Sequence, residues 1–156
     1  DIVRVNTNLL MNKYNENIFY ANKPKFEFIN LITFGTFDLL HDGHLNIFKR
    51  SKSKCNKLIV GISTDEFNKT KGKKAHDNYK IRENNVSKLD MVDTVFPENS
   101  FDEKQLYINK YKANLLIMGD DWENKFDHFN IPAIYLKRTP NISSTMLREK
   151  IAKMKK

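Results

Sequence analysis

The fold is decided by the stretch Thr33-Phe34-Gly35-Thr36-Phe37-Asp38-Leu39-Leu40-His41-Asp42-Gly43-His44. The apolar residues 31–32 just before it indicate a buried strand, and Gly35 lies where that strand is expected to end. A helix is predicted from Gly43 to Lys54, because the apolar residues there recur at helical spacing. The N-terminus of a helix attracts anions, since its first N–H groups lack partners and the helix dipole is positive there. The stretch therefore predicts an anion site between a strand end and a helix start.

Two histidines, His41 and His44, stand three residues apart across Gly43. This spacing places both imidazoles on one side of a helix start, and the glycine lets backbone approach a ligand without a Cβ in the way. A purely structural histidine pair is the alternative interpretation. A zinc site is disfavoured, because Cys55 is the only thiol and the H-E-x-x-H pattern is absent. We therefore interpret the two histidines as candidate ligands of an anion.

Composition sets the broad class of the protein. A chain of 156 residues fits one domain, and 40% hydrophobic residues with eleven Phe suffice for one core. The net charge of +8 predicts an anionic partner: nucleic acid, phosphate or anionic lipid. The single cysteine, Cys55, excludes an internal disulfide. With no apolar run of membrane-spanning length and no signal peptide, we expect a cytoplasmic protein.

Apolar strands alternate with helices from residue 28 onward. Strands are predicted at 31–34, 58–62, 92–96, 115–118 and 133–136, and helices at 43–54, at 79–89, from Ser100, and from Ser143 or Ser144 to about 154. This alternation predicts an α/β fold with a doubly wound, five-stranded parallel sheet and helices on both faces. In such sheets, ligands bind beyond the carboxyl ends of the strands.

Several local expectations accompany this fold. Pro97 is expected to stop the third strand, Ser100 and Glu103 to form a capping box, and residues 64–78 to form a polar, lysine-rich loop. Residues 1–30 are assigned to an N-terminal extension or linker, in which the apolar spacing over residues 9–18 is loosely helical. Residues 31–156 are assigned to the domain.

Three further motifs offer groups that bind anions or metals. Ser143, Ser144 and Thr145 are first of all capping residues, although hydroxyls at a helix start also hold phosphate, and Arg138-Thr139 lies just upstream. Lys71-Gly72-Lys73-Lys74 is either a solvated face or a loop that closes over a polyphosphate. Gly119-Asp120-Asp121-Trp122 offers two carboxylates that cap a helix, hold a metal or bind a hydroxyl. The glycine patterns of P-loop and dinucleotide-binding proteins are absent.

With these motifs in place, the chain resembles the cytidylyltransferase family of the HxGH nucleotidyltransferases. The resemblance is carried by the opening stretch, Ile62-Ser63-Thr64-Asp65-Glu66-Phe67-Asn68, Met118-Gly119-Asp120-Asp121-Trp122-Glu123, Lys125-Phe126-Asp127, and Arg138-Thr139 with Ile142-Ser143-Ser144-Thr145. It covers about residues 31–153. Residues 63–68 and 119–122 look most like family members whose acceptor is glycerol 3-phosphate. In place of an acid and a glycine in the family pattern, this chain has Pro140 and Asn141, and Asn tolerates the left-handed conformation.

The resemblance implies a Rossmann-like fold and transfer of CMP from CTP to glycerol 3-phosphate with release of pyrophosphate. It also implies that Mg²⁺ accompanies CTP, that the protein itself holds no metal, and that the assembly is a homodimer. Catalytic roles are implied for His41, His44 and Lys73, and acceptor contacts for Asp38, Lys71, Arg82 and Lys104. Nucleotide contacts are implied for Gly35, Thr36, Phe37, Gly43, Asp121, Arg138, Thr139, Ile142, Ser143, Ser144 and Thr145.

Alternative functions differ in substrate or in class. The acceptor could instead be phosphocholine, phosphoethanolamine or a sugar-alcohol phosphate, and recognition of a quaternary ammonium needs an aromatic cage. ATP could replace CTP, since the two signatures are shared across the superfamily. A basic nucleic-acid-binding module would carry its cations on one recognition face, interleaved with aromatics. The lysines here are scattered and no reader motif is present, so we expect no nucleic-acid partner.

Overall fold

A computed structural model describes residues 2–5, 28–140 and 142–155. Its strands are β1 (Ile2–Val5), β2 (Asn30–Gly35), β3 (Lys57–Ser63), β4 (Thr94–Glu98), β5 (Leu115–Gly119) and β6 (Ala133–Leu136). Its α-helices are α1 (Asp42–Lys52), α2 (Asp65–Thr70), α3 (Tyr79–Ser87), α4 (Lys104–Lys110) and α5 (Ser144–Met154), and a 3₁₀ helix spans Asp120–Trp122. No helix among these residues combines the length and apolar character needed to cross a bilayer.

The six strands form one sheet in the order β1-β6-β5-β2-β3-β4. Strands β2 to β6 run parallel to one another, which confirms the predicted five-stranded parallel sheet. The chain runs outward from β2 to β3 and β4 on one side, and to β5 and β6 on the other. The topological switch point therefore lies between β2 and β5, where a ligand crevice is expected beyond the carboxyl ends.

Helices cover both faces of the sheet, because successive strand residues point to opposite sides. One apolar cluster joins Leu31 and Leu58 to Phe48 of α1 and Val86 of α3. The opposite cluster includes Ile32, Ile59 and Leu116 together with Ile108 of α4. It also contains Phe126, Phe129 and Ile131, which follow β5. This arrangement confirms the doubly wound architecture.

The sheet has one strand more than predicted. Strand β1 comes from the segment assigned to an extension, and it pairs antiparallel with the edge strand β6. The antiparallel partner hides one row of edge N–H and C=O groups that would otherwise invite pairing with another chain. The loosely helical spacing of residues 9–18 lies outside the described residues, as does Asn141.

Three local expectations were wrong. Pro97 does not stop β4, because β4 is an edge strand and a proline is tolerated where no outer partner needs its N–H. Residues 65–70 form the helix α2, capped by the Thr64 hydroxyl, within the span expected to be a loop. The capping box is incomplete: Ser100 accepts the Glu103 N–H, but the Glu103 carboxylate accepts the Tyr107 hydroxyl, and α4 starts at Lys104.

Candidate active site

A cavity of about 260 Å³ lies at the topological switch point, and we call it the switch-point cavity. Its wall is built from residues that end or follow β2, β3, β4, β5 and β6, and from the start of α5. Both histidines, the lysines of the 71–74 loop and the serines at the start of α5 line this one cavity. The anion-binding groups predicted from separate parts of the sequence therefore share a single crevice.

The turn after β2 has an unusual backbone that directs the chain into α1. Phe37 and Leu39 have φ angles of 51° and 50°, in the left-handed region that costs non-glycine residues energy. Strained residues of this kind cluster at functional sites, where the surrounding packing holds them. Gly35 is required beside this turn, because a Cβ there would lie 2.8 Å from the Phe37 ring.

His41 caps the N-terminus of α1 with its own side chain. Its Nδ1 accepts the N–H of Gly43 at 3.0 Å, so in the neutral ring Nε2 carries the proton and is a donor. A Cβ on Gly43 would lie 2.8 Å from His41 Cε1 and 2.9 Å from Nδ1. The glycine of the motif is thus required for His41 to reach back over the start of the helix. Burial is the main reason that the pKa of His41 is lowered, with the Arg138 charge contributing.

His44 stacks on His41 with ring centroids 3.8 Å apart, and it makes a T-shaped contact with Phe37, with ring centroids 5.4 Å apart. Burial, and then the neighbouring His41, lower the pKa of His44 to about 3. The ring is therefore neutral at physiological pH and carries one N–H. Its buried Nδ1 has no hydrogen-bond partner among the described residues. Each of the two neutral rings can donate one N–H to a phosphate group.

The start of α5 closes the opposite side of the cavity. The Ser143 hydroxyl accepts the Met146 N–H and caps the helix, as the capping interpretation predicted. The Ser144 hydroxyl donates to the backbone carbonyl of Asp38 at 2.5 Å and ties α5 to the turn after β2. A capped helix start carries the positive end of its dipole toward the cavity, where an anion is stabilised.

The carboxylate of Asp38 is buried and already has protein donors on both oxygens. It accepts N–H groups of His76 at 2.7 Å and Asp77 at 3.0 Å, and Arg148 of α5 at 2.9 Å. Burial alone would raise the pKa of this carboxyl, but the two backbone bonds and Arg148 outweigh it and hold the pKa below its usual range. Asp38 therefore joins residues 76–77, which follow the 71–74 loop, to α5 across the mouth of the cavity.

Two lysines extend along the floor of the cavity. Lys71 donates to the Ser63 hydroxyl at 3.0 Å, and Lys104 forms a buried ion pair with Glu98. Glu98 in turn accepts the Ser63 hydroxyl at 3.2 Å, so one connected network holds both ammonium groups. Burial is the main cause that lowers the pKa of Lys71 to about 8. These cations stand where a second anionic group would bind beside the histidines.

Arg138 and Asp121 form an exposed ion pair at 3.2 Å at the rim of the cavity. An exposed pair of this kind is worth little stability, so both side chains remain available to a ligand. Thr139, the next residue, accepts the side-chain amide of Asn46 from α1 at 3.2 Å. The side chain of Asp121 does not cap the short 3₁₀ helix that contains it. Among the described residues, it also belongs to no cluster of His, Cys, Asp or Glu that could hold a metal ion.

The structure brings all but one of the predicted site residues to the cavity wall. The residues that line it are Gly35, Thr36, Phe37, Asp38, His41, Gly43, His44, Lys71, Lys73, Lys104, Asp121, Arg138, Thr139, Ile142, Ser143, Ser144 and Thr145. Arg82 is the exception, because its guanidinium is wholly buried behind the wall. Its direct contact with the acceptor, which the resemblance implied, does not fit this position.

The guanidinium of Arg82 holds together three segments around the site. It donates to the carbonyl oxygens of Thr36, Ser63 and Asp77 at 2.8 to 3.0 Å. It also pairs with the Asp65 carboxylate at 2.8 Å. Arg82 therefore supports the turn after β2, the end of β3 and the lysine loop, and acts on the cavity through their positions.

Sequence reasoning missed several residues of the wall. These are Thr33, Phe34, Ile47, Ser63, Ala75, Glu98, Phe101, Met118 and Phe126. Lys74, Gly119, Trp122 and Arg148, which belong to or accompany the motifs singled out from the sequence, also line the wall. Glu98 matters most, because it is a carboxylate only 1% exposed between two lysines. One signal could have found it: Glu98 is the last residue of a strand in a parallel sheet, the edge at which ligands bind. The mistaken end of that strand at Pro97 hid this position.

Several known proteins are similar to this chain. A protein from Bacillus subtilis named glycerol-3-phosphate cytidylyltransferase is 44% identical over 78% of this chain and 96% of its own length. One of the same name from Staphylococcus aureus is 39% identical over 78% of this chain and 93% of its own length.

Among solved structures, a lipopolysaccharide core biosynthesis protein from Thermoplasma volcanium superposes with a TM-score of 0.57 at 22% identity, over 82% of this chain and 89% of its own. That likeness shows the shared fold. The family model described as cytidylyltransferase-like matches residues 32–150, which include both histidines and the start of α5. The chain therefore belongs to the cytidylyltransferase-like family.

Proposed function

We propose that this protein transfers CMP from CTP to glycerol 3-phosphate and releases CDP-glycerol and pyrophosphate. The observation that carries the proposal is the convergence of His41, His44 and the N-terminus of α5 on one cavity that also holds Lys71 and Lys104. Such a cavity offers separate positive surfaces to a triphosphate and to a second phosphate. The names of the Bacillus and Staphylococcus relatives support the choice of both substrates.

The reaction needs positioning and charge neutralisation more than covalent help. An oxygen of the acceptor phosphate attacks the α-phosphorus of CTP in line, and a new P–O–P linkage forms. The bond from that phosphorus to the bridging oxygen breaks, and its electron pair leaves with pyrophosphate. A phosphate monoester is already a nucleophile at neutral pH, so the protein needs only to bring two anions together and stabilise the transition state.

The two histidines act as neutral hydrogen-bond donors in this proposal. Because the pKa of His44 is lowered to about 3, its ring is neutral at physiological pH and acts as a hydrogen-bond donor. His41 presents Nε2–H, because its Nδ1 is occupied by the Gly43 N–H. Donors fixed before the reaction stabilise charge that develops on the α-phosphate and the leaving group without reorganising. Lys73, exposed on the lysine loop, would reach the triphosphate.

Mg²⁺ belongs to the proposal as a companion of CTP. The ion keeps several waters and is held mainly through the oxygens of the substrate's phosphates. The donor set of the cavity fits this assignment, because Asp38 and Glu98 are engaged by protein donors and only Asp121 has an exposed carboxylate nearby among the described wall residues. The ion supplies further charge neutralisation when bound.

The acceptor in this proposal is a polyol phosphate that has no cationic group, and the aromatic rings support that choice. The Nζ of Lys71 lies 4.2 Å from the ring centroid of Phe67, and the Nζ of Lys104 lies 4.1 Å from that of Phe34. Phe101 has both ammonium groups within 5.7 Å. Rings that already hold lysines do not form a vacant cage for a quaternary ammonium, which would also face two like charges.

A coupled assay of pyrophosphate release tests the proposed reaction. With CTP and Mg²⁺, we expect release with glycerol 3-phosphate, and kcat/KM lower by at least about a hundredfold with phosphocholine, since juxtaposed like charges cost several kcal/mol. No release with CTP and any phosphorylated polyol or amino alcohol would end the proposal. Equal rates with phosphocholine would overturn the acceptor alone.

The choice of CTP over ATP is tested by thermal unfolding with each nucleotide and Mg²⁺. A ligand at a hundred times its Kd stabilises the folded state by about 2.7 kcal/mol, so CTP is expected to raise Tm measurably. ATP at the same concentration is expected to raise it much less. A larger shift with ATP would assign the protein to adenylyl transfer instead.

Gly43→Ala tests the geometry of His41. The added Cβ would meet the His41 ring at 2.8 Å, so the ring must leave its position over the helix start. We expect kcat/KM for CTP to fall by at least about tenfold, since displacements of this size in a positioning group are costly. Asp42→Ala, at an exposed neighbour outside the cavity wall, is the matched control. Equal activities of the two variants would contradict the role of the glycine.

We also infer a homodimer located in the cytoplasm. The single cysteine, Cys55, is buried and not in a disulfide, which supports a reducing compartment.

The homodimer rests on the family resemblance. Light scattering on the purified protein is expected to give a molar mass near twice that of the chain, and a mass near that of one chain would overturn this assignment.

A further inference from the structure

The floor of the switch-point cavity contains one carboxylate that the proposed chemistry does not use. Glu98 is 1% exposed and ends β4, an edge strand whose last residue reaches the cavity. A buried carboxylate opposes the binding of an anion through its charge. Its presence in a phosphate-binding cavity therefore requires a compensating role.

The contacts of Glu98 identify that role. One carboxylate oxygen pairs with the Nζ of Lys104, and the other accepts the Ser63 hydroxyl at 3.2 Å. The same hydroxyl accepts the Nζ of Lys71 at 3.0 Å. A single carboxylate thus orders two lysines that come from different segments, the 71–74 loop and the start of α4.

Removal of the carboxylate would leave the buried Lys104 ammonium and the half-buried Lys71 ammonium without their shared anion. Burial lowers the pKa of Lys104, and only the Glu98 charge and hydrogen bond oppose that effect. Burial likewise raises the pKa of Glu98, against the pull of the Lys104 charge. A buried cation that loses its partner either gives up its proton or moves toward water.

We propose that Glu98 is a positioning residue for the acceptor phosphate: through Lys104 and through Ser63 it keeps both floor lysines charged and in place. This inference rests on the proposed function, and it adds a residue that touches neither substrate in our assignment. The dianionic phosphate of the acceptor then binds two cations that are already ordered, so binding does not carry the free-energy cost of ordering their side chains. CTP, held by the histidines and α5, depends on this network much less.

A dependence on pH follows from the surroundings of Lys71. The pKa of this lysine is lowered to about 8 mainly by burial; Glu98 opposes the shift, whereas Lys73, Lys104 and Arg82 add to it. The protonated form binds phosphate, so acceptor affinity is present below about pH 8 and is lost as pH rises through that value. Without the Glu98 charge, the same loss occurs at lower pH.

Glu98→Gln is the test, because glutamine keeps the shape and removes the charge. We expect the acceptor KM to rise at least about tenfold with little change in the CTP KM, as charge-assisted hydrogen bonds are lost. The alkaline fall of kcat/KM for the acceptor is expected to begin roughly one pH unit lower. Glu98→Asp, which keeps the charge, is expected to restore the wild-type pH profile in part.

The matched control is Glu103→Gln, five residues along the chain and outside the cavity wall, where the carboxylate accepts the Tyr107 hydroxyl. We expect wild-type acceptor KM and pH profile for it. If Glu98→Gln fails to fold because Lys104 is left unpaired, Glu98→Gln with Lys104→Met removes both charges and is compared with Lys104→Met alone. The alkaline limb is still expected to move, since Lys71 has lost the same neighbour.

Two outcomes overturn the inference while the proposed function stands. One is an unchanged acceptor KM and pH profile in Glu98→Gln with normal wild-type turnover. The other is an equal rise in the KM of CTP and acceptor, which would indicate general distortion of the cavity. If the wild-type protein itself releases no pyrophosphate with glycerol 3-phosphate, the proposed function fails, and the role of Glu98 fails with it.

Discussion

His44→Ala is expected to lower kcat for CMP transfer at least about a hundredfold, which corresponds to about 2.7 kcal/mol of transition-state stabilisation. The ring is half-buried and packs against His41 and Phe37, and it is neutral because its pKa is about 3. Its N–H is therefore a fixed donor, like one donor of an oxyanion hole, and alanine offers nothing in its place. Pyrophosphate release at saturating CTP and acceptor measures the loss.

His128→Ala is the matched control, since His128 packs against Phe129 and lies outside the cavity wall. It is expected to keep wild-type turnover. Turnover of His44→Ala equal to that of this control would show that the imidazole has no catalytic role.

A second readout of His44→Ala concerns stability against acid. In the unfolded chain His44 takes up a proton near the ordinary histidine pKa of 6.5, whereas the folded protein resists this until about pH 3. The unfolded state therefore binds more protons below about pH 6.5, and this group destabilises the fold as the pH falls. The variant is expected to lose less stability than the wild type between pH 7 and pH 5, as measured by urea unfolding.

Arg82→Ala is expected to lower the free energy of unfolding by about 3–5 kcal/mol, a large share of a typical domain's stability. The substitution removes the donor of three backbone carbonyl oxygens and one of the donors of the partly exposed Asp65 carboxylate. A cavity of the size of the side chain adds to the cost. Urea unfolding followed by circular dichroism measures the difference.

Two comparisons make the Arg82 result specific. Arg82→Lys keeps the charge but loses the planar fork, so it is expected to recover only part of the stability. Lys80→Ala, at an exposed position of the same helix α3, is expected to change stability by less than about 0.5 kcal/mol. A loss in Arg82→Ala as small as that of Lys80→Ala would contradict the structural role of the guanidinium.

Local patterns in the sequence were sufficient for much of the architecture. The alternation of apolar strands with helices predicted five parallel strands, and all five are present. The start of α5 near Ser143 was predicted from its hydroxyl residues, because capping depends on atoms only a few positions apart. The boundary errors at Pro97 and Glu103 arose where a sheet edge or a neighbouring side chain changed the local preference.

The same distinction between local and long-range contacts applies to the candidate site. His41, Gly43 and His44 were found from a short motif, since their geometry is set within one turn of helix. Arg82 lies outside the cavity wall, because its guanidinium binds carbonyl groups as far away in sequence as Thr36. The periodicity of the sequence does not indicate whether a long, charged side chain will line the cavity or lie buried behind its wall.

By itself, the sequence of this protein determined the order of strands β2 to β6 and of helices α1, α3, α4 and α5. It also determined the anion-binding turn with its histidines and the family to which they belong. These features depend on contacts between near neighbours and on spacings of two to four residues. Only the tertiary structure decided that Glu98 orders the floor lysines, that Asp38 binds Arg148 of α5, and that β1 covers the sheet edge. Most of those contacts join residues that are tens of positions apart, and burial there sets which charges are paired and which face a ligand.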